Sequence, residues 1–322
     1  RPVSACRVAR CVTLSVFLSI AGFMFYAPLL QRPVQGYDEG TVLCGGLRVS
    51  RGDVPYRDFW TSYAPGQYLL TGILFYVLEP SVAAERVLDI AVRTLLSLAC
   101  FWYVRKVSSR VVSFLSFGAV SVWLWHFGMP GYPMYSFLLL AICSQALLLL
   151  AIQKTSRRYM LLSGMLAGLS VLFRHGIGLL LIGTLSLSLF LIELRSIRPR
   201  AARVQHMGNP VRMALLFPAA AMVFPLTGVA LLVGLGAGPD LWKQLLVFPL
   251  HVFPLYRALP YPEWHSLPLG SCGSLRSFGL YLVYHLPFLV FPGIMLMGLL
   301  QSAACMFSCE EIGPRKIVIM FL

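Results

Sequence analysis

The chain has 322 residues, of which 58% are hydrophobic and 12% charged, with a mean hydropathy of +0.77 and a net charge of +14. A soluble domain carries roughly 25% charged residues, so a water-exposed globule is excluded and the bilayer is this chain's solvent. The positive balance does not imply nucleic acid, because the excess Arg and Lys fall in short loops between apolar runs, where they set topology.

The first apolar run, 11–30, follows Arg1, Arg7 and Arg10 and has 20 uncharged residues. That is too long for the core of a cleaved leader, so an uncleaved anchor is predicted. Further spans are predicted at about 87–104, 111–127, 134–152, 213–235 and 278–304, with a ninth starting near 317. The run 159–192 is broken by Arg174 and His175 and is read as two short passes. No barrel-type alternation appears, so the predicted class is all-α: a polytopic helical membrane protein with eight or nine spans. The chain starts without Met and stops inside KIVIMFL, as expected of a piece of a longer protein.

The charges agree with this count. With the N-terminus in the cytoplasm, the inner segments hold 16 of the 26 basic residues against three acids, Glu193, Glu310 and Glu311. Every inner loop is then basic, as the positive-inside rule requires. The parity holds only if 159–173 and 176–192 are separate passes, which puts Arg174 and His175 at the outer face. Two large outer loops follow, 31–86 and about 236–277. In the first, YLLTGILFYVL (68–78) is too short to span and suits a helix along the membrane surface.

Four of the twelve acids, Asp38, Glu39, Asp53 and Asp58, gather in 36–68. Asp38 and Glu39 fall eight residues after the first span, at the outer membrane boundary. Asp38 reads either as a solvated loop charge or as a functional acid. Arg48, Arg51 and Arg57, with the aromatic and Gly-Pro punctuation of GDVPYRDFWTSYAPGQY, favour an ordered loop and with it the functional reading.

Arg86, Asp89 and Arg93 share one face of the second span, as a structural ion pair or as the polar wall of a lipid-headgroup site. Arg174 either snorkels to the interface or binds an anion such as a lipid phosphate, with His175 beside it. The segment 247–265 carries His251, Arg257, Glu263 and His265, and is either an outer cap or a loop lying on the membrane. Cys305 and Cys309 lack a nearby His or a second pair, so no zinc site is read. GLGAGP (234–239) follows no strand and is not a dinucleotide loop. No P-loop, HExxH or GxSxG element occurs.

The order of an N-terminal span, YDEG, RGDVPYRDFWTSYAPGQYLLTGILFYVLEP and an Arg opening the second span resembles the bacterial membrane glycosyltransferases related to protein O-mannosyltransferases. GMLAGLSVLFRHGIGLLL resembles the same family's fifth and sixth spans, and the likeness covers roughly 10–200. The resemblance implies a C-type glycosyltransferase (GT-C) fold in a bacterial inner membrane. It implies a polyprenyl-phosphate-linked sugar as donor and inversion at the anomeric carbon. Asp38 matches the family's catalytic acid, with Glu39 beside it. Arg174, then Arg57 and Arg86, would hold the donor phosphate. Tyr56, Asp89, Arg93, His175, Arg257 and Glu263 are candidates for the site wall.

The acceptor, a protein, lipid or glycan, is not implied. No cofactor is firmly implied, and a divalent metal stays open, because the second outer loop, HFGMPGYPMY, lacks the acid several relatives carry there. The alternatives are a lipid or solute transporter or flippase, or an enzyme of the O-antigen ligase or polymerase kind. A transporter would normally show repeat symmetry, and none is found.

Overall fold

The computed structural model describes residues 5–126, 129–196 and 210–257, and every regular element among them is helical. The elements are α1 (Ala5–Tyr26), α2 (Asp38–Ser50), α3 (Gly66–Val77), α4 (Val82–Val107), α5 (Arg110–His126) and α6 (Pro133–Lys154). They continue with α7 (Arg157–Val171), α8 (His175–Ser196), α9 (Pro210–Gly234), α10 (Gly238–Trp242), a π-helical segment Lys243–Val252 and α11 (Phe253–Arg257). The all-α expectation holds for this part of the chain. The two last predicted spans and Glu263 lie outside the described residues, as do His265 and the Cys305–Cys309 pair.

Among the described residues, five helical stretches are long and apolar enough to cross a membrane: Val8–Gln31, Val82–Val107, Pro133–Lys154, His175–Ile192 and Leu215–Gly234. Helices α5 and α7 coincide with two more predicted spans but have only 17 and 15 residues. At 1.5 Å per residue, α7 reaches about 22 Å, short of a hydrocarbon core of about 30 Å. The first loop does carry two helices, α2 and α3, packed on each other. The second long helix starts at Val82, five residues before its predicted start, because Ser81 caps it by accepting the Ala84 N–H at 3.1 Å.

Two apolar clusters organise the bundle. One joins α6, α7, α8 and α9 through Leu148, Met160, Ala167, Leu185, Phe217 and Ala221. The other joins α1, α4, α5 and α6 through Tyr26, Ile90, Leu96, Leu124 and Tyr135. Apolar driving force is weak between helices in lipid, so close backbone approach and polar pairs matter there. Ser144 and Ser163 exchange hydroxyl-to-carbonyl bonds of 2.8 Å across α6 and α7. A Cβ on Gly168 would stand 2.1 Å from the Ala221 carbonyl oxygen, so α7 and α9 meet almost backbone to backbone. Helices α2 and α3 use the same device, since a Cβ on Gly45 or Gly46 would strike Tyr68 or Thr71 at 2.4 and 2.5 Å. The apolar side chains Val12, Val16, Phe17 and Ile20 of α1 stay exposed, as lipid-facing residues would.

Gly168→Ala is expected to destabilise the chain by about 1–3 kcal/mol, because the obstructing atoms are backbone. Gly183→Ala, with nothing within 4 Å of its Cβ position, is expected to be neutral or slightly stabilising. Thermal unfolding of the full chain in detergent checks this, and equal Tm values for the two variants would contradict the contact.

Candidate functional site

The loop between α2 and α3 is folded against the rest of the chain. Tyr56 takes a left-handed conformation, φ +72°, and is buried, with its hydroxyl donating to the Tyr63 carbonyl at 2.9 Å. A non-glycine residue holds that conformation only where its surroundings over-determine it. Tyr56 packs with Val54 against Leu232 and Ala237. The buried Gln244 amide accepts from Thr61 N at 2.7 Å and donates to the Tyr56 carbonyl at 3.0 Å. Arg57 grips Asp58 with two bonds, of 2.9 and 2.8 Å, and donates a third to the Leu235 carbonyl at 2.8 Å. At the loop's far end, Gly66 N donates to the Leu172 carbonyl at 2.6 Å, tying α3 to the end of α7.

These contacts carry Tyr63 to α2. Its hydroxyl donates to Asp38 Oδ1 at 2.6 Å, and Asp38 is partly buried. Asp38 and Glu39 occupy the first turn of α2, where the exposed N–H groups favour negative charge. Tyr63 meets Tyr132, from the α5–α6 connection, edge to face at 6.5 Å. The Arg174 guanidinium lies over both rings, 5.6 Å from Tyr63 and 4.9 Å from Tyr132, and donates to the Tyr132 hydroxyl. Arg174 Nε is buried and has no hydrogen-bond partner among the described residues. Asp38 and Arg174 therefore belong to one constellation, Asp38–Tyr63–Tyr132–Arg174. His175 is next to it and hydrogen-bonds the backbone of Leu245.

The remaining candidates are placed elsewhere. Glu39 turns away from Asp38 into a buried pair with Arg86, Nε to Oε1 2.7 Å, and its other oxygen accepts Gln35 N at 2.7 Å. Arg86 also donates to the carbonyls of Leu30 and Arg32, which pins the end of the first membrane helix. Asp89 and Arg93 form a second buried pair at 2.6 Å. Arg93 donates further to the carbonyls of Leu124 and Met129, and Asp89 accepts Gly131 N at 3.1 Å, so this pair clamps the α5–α6 connection that carries Tyr132. Asp89 and Arg93 form the ion pair that one reading expected, whereas Arg86 pairs with Glu39 and keeps a buried Nη2 without a hydrogen-bond partner among the described residues. Arg57 and Tyr56 hold the loop rather than line the constellation. Arg257 closes α11.

Sequence reasoning passed over Tyr63, Tyr132 and Gln244, which carry no charge. It also passed over Glu85, fully buried beside these pairs with neither carboxylate oxygen hydrogen-bonded among the described residues.

Burial, and then the bond to Asp38, push the Tyr63 phenol well above its ordinary value. Tyr63 is thus a fixed hydrogen-bond donor at neutral pH. Burial pushes Tyr68 up to about 12. The Arg57 guanidinium, helped by the Val54 N–H, lowers Asp58 from 3.8 to about 2. Among the described residues, no group of three or more His, Cys, Asp or Glu is placed to hold a metal ion.

No family model, no curated protein and no solved structure matches the chain.

Arg86→Met is expected to cost about 3–5 kcal/mol by stranding Glu39, with partial recovery in the double variant Glu39→Leu/Arg86→Met, read from unfolding in detergent. An unchanged Tm in the single variant would contradict a buried pair. Asp58 is lowered on folding, so its contribution is present above about pH 4 and fades as the pH falls through about 2. Asp58→Asn should flatten that part of the stability–pH profile, and an unchanged profile would contradict the Arg57–Asp58 brace.

Proposed function

We propose that the chain is a membrane glycosyltransferase of GT-C type, with eight or nine spans in the full protein and its N-terminus in the cytoplasm. It moves a sugar from a polyprenyl-phosphate donor to an acceptor hydroxyl at the outer face of a bacterial inner membrane. The observation that carries this reading is the shared site of Asp38 and Arg174, 136 positions apart and joined by two tyrosines. A carboxylate and a guanidinium whose buried Nε–H has no partner among the described residues supply the base and the cation that inverting transfer from a lipid phosphate uses.

In the reaction, the acceptor oxygen attacks the anomeric carbon and gives its proton to the Asp38 carboxylate. The bond between that carbon and the phosphate oxygen breaks, and its electron pair leaves on the polyprenyl phosphate. Arg174 stabilises the charge that develops there. Tyr63 occupies Oδ1 of Asp38 and leaves Oδ2 to take the proton. Tyr132 sets the plane of the guanidinium.

Sugar transfer by full-length protein in membranes, from a panel of polyprenyl-phosphate sugars, tests this. Wild type is expected to consume one donor, and Asp38→Asn to bind it but turn it over about 10²–10⁴-fold more slowly. Turnover by Asp38→Asn at the wild-type rate would remove Asp38 from the chemistry. Failure of the wild type to consume any donor would remove the donor class and favour a lipid flippase.

A further inference from the structure

Beside Asp38 lies a groove of about 390 Å³ that the constellation above does not use. This volume falls in the range of small-molecule sites, about 300–1,000 Å³. Its lining includes Gly36, Gly40 and Thr41, which flank Asp38 in the chain, together with Phe59, Trp60 and Tyr68. The Tyr68 hydroxyl is bonded to Thr61 at 2.8 Å. Trp60 meets Phe248 in a T-shaped contact at 5.0 Å and remains 59% exposed. A large indole held by one aromatic contact and more than half exposed can serve as a stacking surface rather than a core residue.

The charge of the groove narrows its occupant. Arg48 is the charged side chain that lines it, and it is already committed. It donates to Asp53 Oδ2 and to the Asp58 carbonyl, both at 2.6 Å, and lies 4.9 Å over the Phe59 ring. Among the described residues of its lining no unpaired charge therefore awaits an ionic ligand, while the exposed Trp60 indole, three glycines, the Cys44 side chain and the lone pairs of a Thr41 hydroxyl that already donates to the Tyr37 carbonyl remain. That combination suits a flat neutral molecule with one apolar face and a polar rim, which describes a sugar ring.

The geometry points to this groove as the acceptor subsite, taking a neutral carbohydrate whose ring stacks on Trp60 and whose hydroxyl reaches Asp38. The inference rests on the glycosyltransferase reading and supplies the acceptor class that reading leaves open. The chain then acts after an enzyme that loads sugar onto the lipid phosphate, and it extends a glycan rather than modifying a protein side chain.

The test uses the full chain in detergent and measures binding of neutral methyl hexopyranosides and of a Ser/Thr-containing peptide by NMR titration, without donor. Wild type is expected to bind a glycoside and not the peptide. Trp60→Ala should weaken that binding by about tenfold or more, as truncation of an aromatic anchor does, and Trp60→Phe should keep it within about threefold. Gly40→Leu provides a variant that need not disturb the fold. Only the Gln35 carbonyl oxygen, at 3.9 Å, stands within 4 Å of a Cβ there, and leucine is a better helix former than glycine. It should abolish glycoside binding while Tm stays level or rises.

Glycoside binding that survives Gly40→Leu, or no glycoside binding at all, would overturn the subsite. Binding of the peptide alone would overturn its chemical class. Donor consumption, assayed in parallel, separates the two proposals. Glycoside binding without donor use sinks the transferase reading and leaves the groove. Donor use with unaltered transfer in Gly40→Leu sinks the groove and leaves the transferase.

Discussion

A single buried amide holds the loop on which the candidate site is built. Gln244 accepts from Thr61 N and donates to the Tyr56 carbonyl, so residues 56 and 61 are fixed to the segment after α9. A loop laid on an apolar bundle has little water to satisfy its backbone, and each unmet buried group is costly. The surrounding contacts have the same character. Arg57 caps the Leu235 carbonyl, Gly66 N bonds Leu172, and Tyr56 accepts a left-handed backbone to bring its hydroxyl to the Tyr63 carbonyl. The result is a loop rigid enough to aim the Tyr63 hydroxyl at one oxygen of Asp38.

Apart from Glu85, whose buried carboxylate has no partner among the described residues, the site's charges divide by what answers them. Glu39 with Arg86 and Asp89 with Arg93 are buried, each carboxylate has both oxygens bonded, and both arginines also cap backbone carbonyls. Removing one partner of such a pair is expensive, so these residues preserve shape. They tie the end of α1 and the α5–α6 connection to α4, and the latter delivers Tyr132. Asp38 and Arg174 are partly exposed and are answered by phenols rather than by each other. Tyrosine fixes orientation without neutralising charge. A carboxylate and a guanidinium kept apart in this way remain able to act on something placed between them.

Much of the framework was readable from the sequence. Apolar runs mark α1, α4, α6, α8 and α9 because lipid imposes length and composition directly. The Arg174–His175 break marks the α7–α8 turn because two adjacent polar residues interrupt an otherwise apolar run. The shared face of Arg86, Asp89 and Arg93 follows from helical spacing alone. The direction of Glu39 was not readable. It is adjacent to Asp38, yet successive helical residues are about 100° apart, and only the position of Arg86 decides which of the two turns inward. Tyr63 and Tyr132 escaped for another reason. A reading that follows charge does not weigh neutral phenols, although both sit among prolines and glycines that fix turns. Gln244 lies 183 residues from Thr61, a pairing that no local pattern specifies.

The proposed function requires Asp38 and Arg174 to serve one transition state, Asp38 at the acceptor hydroxyl and Arg174 at the leaving phosphate. Donor turnover by wild type, Asp38→Asn, Arg174→Gln and the double variant tests it most directly. Groups that serve one transition state lose function non-additively, so the double variant is predicted to fall within about tenfold of the worse single variant. A double variant whose loss equals the product of the two single losses, as for independent sites, would contradict the account.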